Sequence, residues 1–280
     1  MPELAYVNGK MMEIGSAVVP IEDRGYQFGD AVYEFIASYN GRLCFMEEHL
    51  DRLMRSLQGL AFPPMNRGEI RAAVLALFEK AEIPRAGLYM QISRGVSQRN
   101  HPFPDAAPVQ FIMTIRAVEE KPKSMREKGA SAITVEDIRW GRCDLKTVQL
   151  LPNVLAKQKA VDAGVFDAIF VTSEGIVREA TSSNLAVVKN GALITHPLTP
   201  NILPGITRMI ILDICQKLGI PVEERFFNTD ALYGADEAFL TGTITEVLPI
   251  VTVDGKTIGD GSVGPVTRRL YAALRQRAGA

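Results

Sequence analysis

Apolar residues recur along this chain with two different periods, and the switches between them predict its elements. From Glu47 to Leu57 the side chains Leu50, Leu53, Met54 and Leu57 fall at i, i+3, i+4 and i+7, the spacing of one helix face. Ile70, Ala73, Val74, Leu77, Phe78 and Ala81 repeat that spacing over Arg67–Ala81, and Asn66 with Glu69 three residues on reads as a capping box. Pro152–Gly164 has proline at its start and glycine at its end, the asymmetry of a helix. A strongly apolar helix is predicted from Gly205 to near Gly219, and Val266, Leu270, Ala273 and Leu274 mark another over Pro265–Ala278.

Strands follow from β-branched and aromatic runs bounded by turn residues. LAYV and MMEI around Asn8-Gly9 read as a hairpin, because Asn-Gly accepts the positive φ of a tight turn. Ala31–Tyr39 turns at Asn40-Gly41 into Arg42–Met46, and Asn190-Gly191 marks a further hairpin. Leu88–Ser93 and Val109–Ala117 flank a polar loop carrying Arg94, Arg99 and His101, while Ile133–Ile138 and Ala168–Val171 read as later strands. The stretch Val118–Ala130 is charged, broken by Pro122 and poor in large apolar residues, which places a linker at residues 121–130 between domains 1–120 and 131–280. Mixed strands and helices with hairpins in both halves predict an α+β fold rather than a doubly wound parallel sheet.

The length, 280 residues with 47% hydrophobic and 22% charged, suffices for two medium domains with buried cores. Thirty-one Lys plus Arg against thirty-two Asp plus Glu leaves a net charge of -1, so nucleic acid is not an expected partner. Cys44, Cys143 and Cys215 are odd in number and lack metal-ligand spacing, which points to a reducing cytoplasm with neither a disulfide framework nor a metal site. The N-terminus has no basic then apolar leader and no apolar run approaches the roughly 18 residues of a membrane span, so neither export nor a membrane is expected.

Several segments carry candidate chemistry beside a plain structural reading. A nucleophilic lysine must lose its proton near neutral pH, which desolvation or cationic neighbours promote. Lys146 in RWGRCDLKTVQLL has Arg139 and Arg142 upstream and an apolar run after it, whereas Lys157 and Lys159 belong to an ordinary helix. In VREATSSN, Glu179 is either part of a polar turn or a fixed carboxylate that keeps a heterocyclic nitrogen protonated. LPGITR ends a loop and starts a helix, where the amides of Ile206 and Thr207 and the Thr207 hydroxyl suit a phosphate. Gly242 and Thr243 in LTGTITE form a second small-residue turn, and Arg52 is either an exposed helical residue or a counter-charge for the same phosphate. Arg99 and His101 are two apart and face the same way in an extended loop, fit to clamp a carboxylate, with Tyr33 as a further hydroxyl donor. His49 and His196 lack spaced metal partners and read as structural.

Taken in order, EDRGYQFGDAVYE, EHLDRL, SRGVSQRNH, EDIRWGRCDLKT, LAKQKA, EATSSN and LPGITR give a chain that resembles the D-amino-acid aminotransferases. These are pyridoxal-phosphate enzymes of fold type IV, a class shared with branched-chain aminotransferases, and the resemblance covers nearly the whole chain. It implies two domains with the cofactor site between them. It implies that Lys146 binds pyridoxal 5'-phosphate covalently and carries the proton at the substrate α-carbon, and that Glu179 meets the pyridine nitrogen. Arg52, Ile206, Thr207 and Thr243 match the phosphate cup, and Leu203 the apolar residue against the ring. Tyr33, Arg99 and His101 match the trap for the α-carboxylate, the Arg99 and His101 loop reaching in from the partner subunit of a homodimer. The implied reaction is a ping-pong transfer from a D-amino acid such as D-alanine to a 2-oxo acid such as 2-oxoglutarate. Branched-chain L-amino-acid transaminases, (R)-amine transaminases and aminodeoxychorismate lyases share the lysine, glutamate and phosphate cup, and the Arg99 and His101 pair favours the D-amino-acid enzymes over all three. Where the family often has serine this chain has Gly242, which removes one phosphate hydrogen bond.

Overall fold

The structure, a computed structural model, describes residues 3–280. The chain forms two compact units, Met1–Glu119 with Leu145–Gln149, and Glu120–Asp144 with Leu150–Ala280.

The first unit contains strands β1 (Leu4–Val7), β2 (Lys10–Glu13), β3 (Ala31–Tyr39), β4 (Arg42–Leu43), β5 (Ala86–Ser93) and β6 (Gln110–Ala117), and helices α1 (Arg24–Phe28), α2 (Met46–Gly59) and α3 (Arg67–Ala81). Among the described residues its strands make a six-stranded antiparallel sheet in the order β2-β1-β6-β5-β3-β4. Asn8 and Gly9, and again Asn40 and Gly41, all have positive φ, as a two-residue hairpin turn that follows the strand twist requires. The strand after Asn40-Gly41 stops at Leu43, shorter than expected, because Phe45 turns left-handed and α2 starts at Met46. Leu50, Leu53 and Leu57 of α2 and Val74 and Leu77 of α3 pack with Ile36, Leu88, Met90, Met113 and Ile115 of the sheet in one core. Asn66 caps α3 by accepting from the amides of Gly68 and Glu69, the first half of the expected box, while Glu69 turns back to accept from the Asn66 side-chain amide at 3.0 Å rather than from its main chain. The hydrophobic pattern does not predict helix α1, since five residues are too few to show a period. Asp23 caps it instead, accepting from Gly25 and Tyr26.

The second unit contains α4 (Lys123–Lys128), β7 (Ala130–Glu136), α5 (Leu151–Asp162), β8 (Asp167–Val171), β9 (Val177–Ala180), β10 (Asn184–Lys189), β11 (Ala192–Thr195), α6 (Ile206–Leu218), β12 (Val222–Glu224), α7 (Thr229–Tyr233), β13 (Glu237–Gly242), β14 (Glu246–Val253), β15 (Lys256–Thr257) and α8 (Pro265–Ala278). Strands β10, β13, β14, β7, β8 and β9 follow one another and close on themselves, because β9 meets β10 again through Glu179 opposite Asn184. Pairing is parallel only for β14 with β7, β7 with β8, and β11 with β12 among the described residues. Leu185, Val187, Leu240, Leu248 and Ile250 fill this ring, and Ala156 and Ala160 of α5 pack on Ala168 and Phe170 of β8. The charged stretch expected to be a linker is anchored: Met125 packs against the ring core, and Arg126 donates to the carbonyls of Thr245 and Val247 at 2.6 and 2.7 Å. Strand β7 begins at Ala130 rather than Ile133, since Ala130 and Ala132 join the same core. Among the described residues no helix is long and apolar enough to cross a membrane.

Candidate active site

In the first unit, alternation along β3 sends Tyr33 to one face of the sheet and Glu34, with Val32 and Ile36, to the other. The segment Leu145–Gln149 lies along this strand. The Tyr33 amide donates to the Lys146 carbonyl at 2.9 Å, the Val148 amide donates to the Ala31 carbonyl at 3.1 Å, and Thr147 bridges to Val32. The Lys146 amide donates to Ser56 Oγ at 3.1 Å, so its main chain is held from α2 as well as from β3. The half-buried ammonium then points at Tyr33, with Nζ 3.2 Å from the phenol oxygen and 4.2 Å from the ring centre. Arg139 and Arg142, the expected cationic neighbours, are otherwise engaged: Arg142 pairs with Asp144 at 2.9 Å and Arg139 with Asp137 and Glu179.

On the opposite face of β3 a carboxylate on an apolar strand meets a polar stripe of α2. His49, Arg52 and Ser56 fall at i, i+3 and i+7 and are all buried. Glu34 is 0% exposed and accepts both arms of Arg52, Nε at 2.7 Å and Nη2 at 2.8 Å, and meets His49 Nδ1 at 2.7 Å. Burial pushes the Glu34 carboxyl up, but the Arg52 guanidinium and then His49 outweigh it and hold it at about 2. His49 is shifted down, by burial first, against the pull of Glu34. Arg52 is thus a buried half of an ion pair and not the exposed helical residue that position suggests.

Arg99 and His101 are exposed and gather around Phe28 rather than around Lys146. The Arg99 guanidinium lies 4.9 Å and the His101 ring 5.5 Å from the Phe28 centroid. No hydrogen bond, ion pair or ring contact joins either residue to Lys146 or Tyr33 among the described residues.

In the second unit the ring of strands closes at Glu179 itself. This residue, on β9, is 5% exposed, and donors surround both its oxygens: Arg139 Nη1 at 2.5 Å, Asn184 Nδ2 at 2.7 Å and the Leu203 amide at 3.1 Å. Asn184 also donates to the Leu203 carbonyl at 2.9 Å, which ties the loop before α6 to the carboxylate. Arg139 is itself gripped by Asp137, through Nε at 2.9 Å and Nη2 at 2.8 Å, and Arg178 donates to Asp137 at 2.7 Å. Burial pushes the Glu179 carboxyl above its ordinary value, opposed by Arg139 and the Leu203 amide.

Helix α6 starts at the end of this tied loop. Its N-cap is Gly205, which offers no side-chain acceptor to the first amides, and Ile206 and Thr207 are buried beside it. A Cβ at Gly205 would stand 2.0 Å from Asn184 Oδ1, so the approach of the helix start to the Glu179 network requires glycine. Thr243 stands in the turn between β13 and β14 after Gly242, next to Thr245, which accepts from Ser183 Oγ at 3.2 Å. An uncapped helix start with nearby hydroxyls suits an anion, and a donor-lined carboxylate suits a ring nitrogen.

Sequence reasoning misses Glu34, Asp137 and Asn184 and gives Arg139 a different task. Glu34 carries a signal, since a carboxylate in register with Val32 and Ile36 needs a buried counter-charge. Asp137 and Asn184 carry none, because a polar residue two or five positions from its partner, Arg139 or Glu179, reads as an ordinary turn until the strands place both at the same carboxylate.

The first unit thus presents an amine on a pinned main chain, and the second a carboxylate walled in by donors. The chain belongs to the amino-transferase class IV family, which it matches over residues 31–253. It is 42% identical over 269 residues to the D-alanine aminotransferase of Bacillus licheniformis, covering 96% of this chain and 94% of that protein. A D-alanine aminotransferase of Staphylococcus haemolyticus is likewise 42% identical, covering 97% and 96%. Among solved structures, the Escherichia coli branched-chain amino acid aminotransferase superposes with a TM-score of 0.92 at 27% identity over 99% of this chain and 94% of that one. The T.th. branched-chain amino acid aminotransferase with pyridoxamine 5'-phosphate gives 0.92 at 26% over 100% and 95%.

Proposed function

We propose that the chain is a D-amino-acid transaminase that uses pyridoxal 5'-phosphate to transfer the amino group of a D-amino acid such as D-alanine to a 2-oxo acid such as 2-oxoglutarate. The products are pyruvate and D-glutamate. The observation that carries this reading is the near-full-length likeness to D-alanine aminotransferases at 42% identity, in a chain with Lys146 and Glu179 held in ordered settings. The branched-chain enzymes share the fold at 26–27% identity, and the Arg99 and His101 pair favours the D-amino-acid reading over theirs.

When bound, pyridoxal 5'-phosphate supplies an electron sink for the charge left at the α-carbon. Lys146 would hold the cofactor through its amine and, with that amine free, would take and return the proton at the substrate α-carbon. Tyr33 keeps the amine of Lys146 on station between these tasks. Glu179 keeps the ring nitrogen protonated, with Arg139, Asn184 and the Leu203 amide fixing its oxygens. The amides of Ile206 and Thr207, the hydroxyls of Thr207 and Thr243 and the Arg52 guanidinium bind the phosphate, and Leu203 packs against the ring. Arg99, His101 and Tyr33 hold the α-carboxylate. A D-substrate so held turns its α-hydrogen to Lys146, and an L-substrate held the same way turns it away.

The Arg99 and His101 loop serves the neighbouring subunit of a homodimer. In support, the loop stands apart from Lys146 and Tyr33, and Val18, Ile21 and Phe103 expose 79%, 78% and 58% of their surface. The enzyme works in the cytoplasm, consistent with three buried cysteines outside any disulfide. Neither nucleic acid nor a metal takes part.

Purified protein given D-alanine and 2-oxoglutarate should release pyruvate, with L-alanine far slower; faster turnover of L-leucine would overturn the proposal. Lys146→Ala should lower turnover by about 10⁴-fold.

A further inference from the structure

The segment Glu22–Asp30, EDRGYQFGD, is left unused by the chemistry above, yet it is laced along its length to Ser93–His101. The Ser97 amide donates to the Glu22 carbonyl at 3.3 Å, the Arg24 amide to the Gly95 carbonyl at 2.9 Å and the Arg94 amide to the Asp30 carbonyl at 3.1 Å. Asp23 forms a β-bridge with Val96, and its carboxylate accepts from Ser93 Oγ at 2.6 Å. The lacing places Arg24, 4% exposed, under a loop whose residues Arg99, Asn100 and His101 are exposed.

Arg24 uses every edge of its guanidinium. Nε donates to Asp30 Oδ2 at 2.9 Å, Nη1 to the Asn100 carbonyl at 2.6 Å and Nη2 to the His101 carbonyl at 3.1 Å. Asp30 is also held by Arg94 Nε, at 3.1 Å from Oδ1 and 2.9 Å from Oδ2, and Arg94 is fixed by the carbonyls of Leu60 and Ala61 at 2.7 and 3.0 Å. The guanidinium of Arg24 lies 4.8 Å from the centroid of Phe28, the ring on which Arg99 and His101 also rest. A planar fork set between two successive carbonyls fixes the direction of the peptide between them, and so the departure of the His101 side chain; a flexible ammonium makes one such bond at a time.

We propose that Arg24 is a positioning residue for the α-carboxylate trap: it and Phe28 set Arg99 and His101 at the angle at which they receive the carboxylate common to the amino donor and the oxo acceptor. The inference rests on the reading of Arg99 and His101 as that trap. It predicts a binding defect shared by both half-reactions, since D-alanine and 2-oxoglutarate present the same group.

The test is a set of holoenzymes: wild type, Arg24→Gln, Arg24→Lys, Phe28→Leu, Arg99→Ala and the Arg24→Gln/Arg99→Ala double variant. KM and kcat are measured for D-alanine and 2-oxoglutarate, with cofactor absorbance as a check on loading. Arg24→Gln should raise both KM values about tenfold with kcat within about twofold, the loss expected for charged hydrogen bonds to a loop. Arg24→Lys should recover part of that loss, and Phe28→Leu, which leaves the buried ion pairs intact, should raise both KM values severalfold. In the Arg99→Ala background the Arg24 change should add less than its full tenfold, because His101 is then all that it positions. Full multiplication of the two effects, or an unchanged KM in both Arg24→Gln and Phe28→Leu while Arg99→Ala raises it, would overturn the inference and leave the trap standing. An unchanged KM in Arg99→Ala would instead overturn the trap itself and the inference with it. If Arg24→Gln does not fold, Arg24→Lys and Phe28→Leu carry the same comparison.

Discussion

Glu34 and Glu179 are both buried against an arginine, yet they depart from an ordinary carboxylate in opposite directions. Arg52 gives Glu34 two of its nitrogens, Nε and Nη2, and His49 adds a third contact, so attraction outweighs burial and the carboxyl is held at about 2. Arg139 gives its fork to Asp137 and only Nη1 to Glu179, the remaining donors there being the neutral Asn184 amide and the Leu203 main chain. Burial then wins, and the Glu179 carboxyl is pushed up. An arginine neighbour does not by itself set a carboxylate's proton affinity; the share of its charge left over from other partners does. Glu34 stays charged and holds Arg52 and His49 in place, whereas burial leaves Glu179 with a raised affinity for a proton.

The largest expected effect that tests this division is on turnover. Glu179→Gln should lower kcat by at least about 10²-fold, because the neutral amide no longer stabilises a protonated ring nitrogen. The same change at Glu34 should act on stability first, by about 3 kcal/mol, since it strands a buried arginine. Equal losses of turnover with no difference in stability would erase the contrast.

A pH series of Tm sharpens it further. Glu34 is depressed from 4.5 to about 2, so its stabilisation is complete above about pH 4.5 and disappears as pH falls through about 2. Glu179 is raised above 4.5, so its contribution is fullest below that value and is lost as pH rises through its folded pKa. The Tm gap between wild type and Glu34→Gln should therefore widen from pH 2 to 5, and that between wild type and Glu179→Gln should narrow above pH 4.5. Parallel curves would contradict the assignment. The smallest effect belongs to Gly242, where a Cβ would lie 3.0 Å from Ser183 Oγ. Gly242→Ser should change cofactor affinity by less than about fivefold, the worth of one hydrogen bond, read by equilibrium dialysis.

Local order is legible in the chain. The periods of Leu50, Leu53 and Leu57 and of Ile70, Val74 and Leu77 mark α2 and α3, and Asn-Gly pairs mark the hairpins, because these signals act within a few residues. The short helices α1 and α4 are not legible, since five or six residues show no period and anchors such as the Arg126 bonds to Thr245 and Val247 are more than a hundred residues away. The closing of β9 on β10 and the laying of Leu145–Gln149 along β3 are pairings that likewise depend on the fold rather than on neighbours in sequence. Lys146 and Glu179 are legible as chemistry through motif order, but their surroundings are not. By its place in the chain Arg139 reads as a neighbour of Lys146, and the geometry gives it to Glu179 and Asp137.

The most direct test of the whole account is a half-reaction. The cofactor-loaded protein is mixed separately with D-alanine, L-leucine and (R)-1-phenylethylamine, and the loss of the lysine-bound cofactor's absorbance is followed in time. Rapid loss with D-alanine alone is the predicted result. Equal or faster loss with L-leucine or the amine would contradict it, and would mean that Arg99 and His101 do not impose the D-amino-acid geometry.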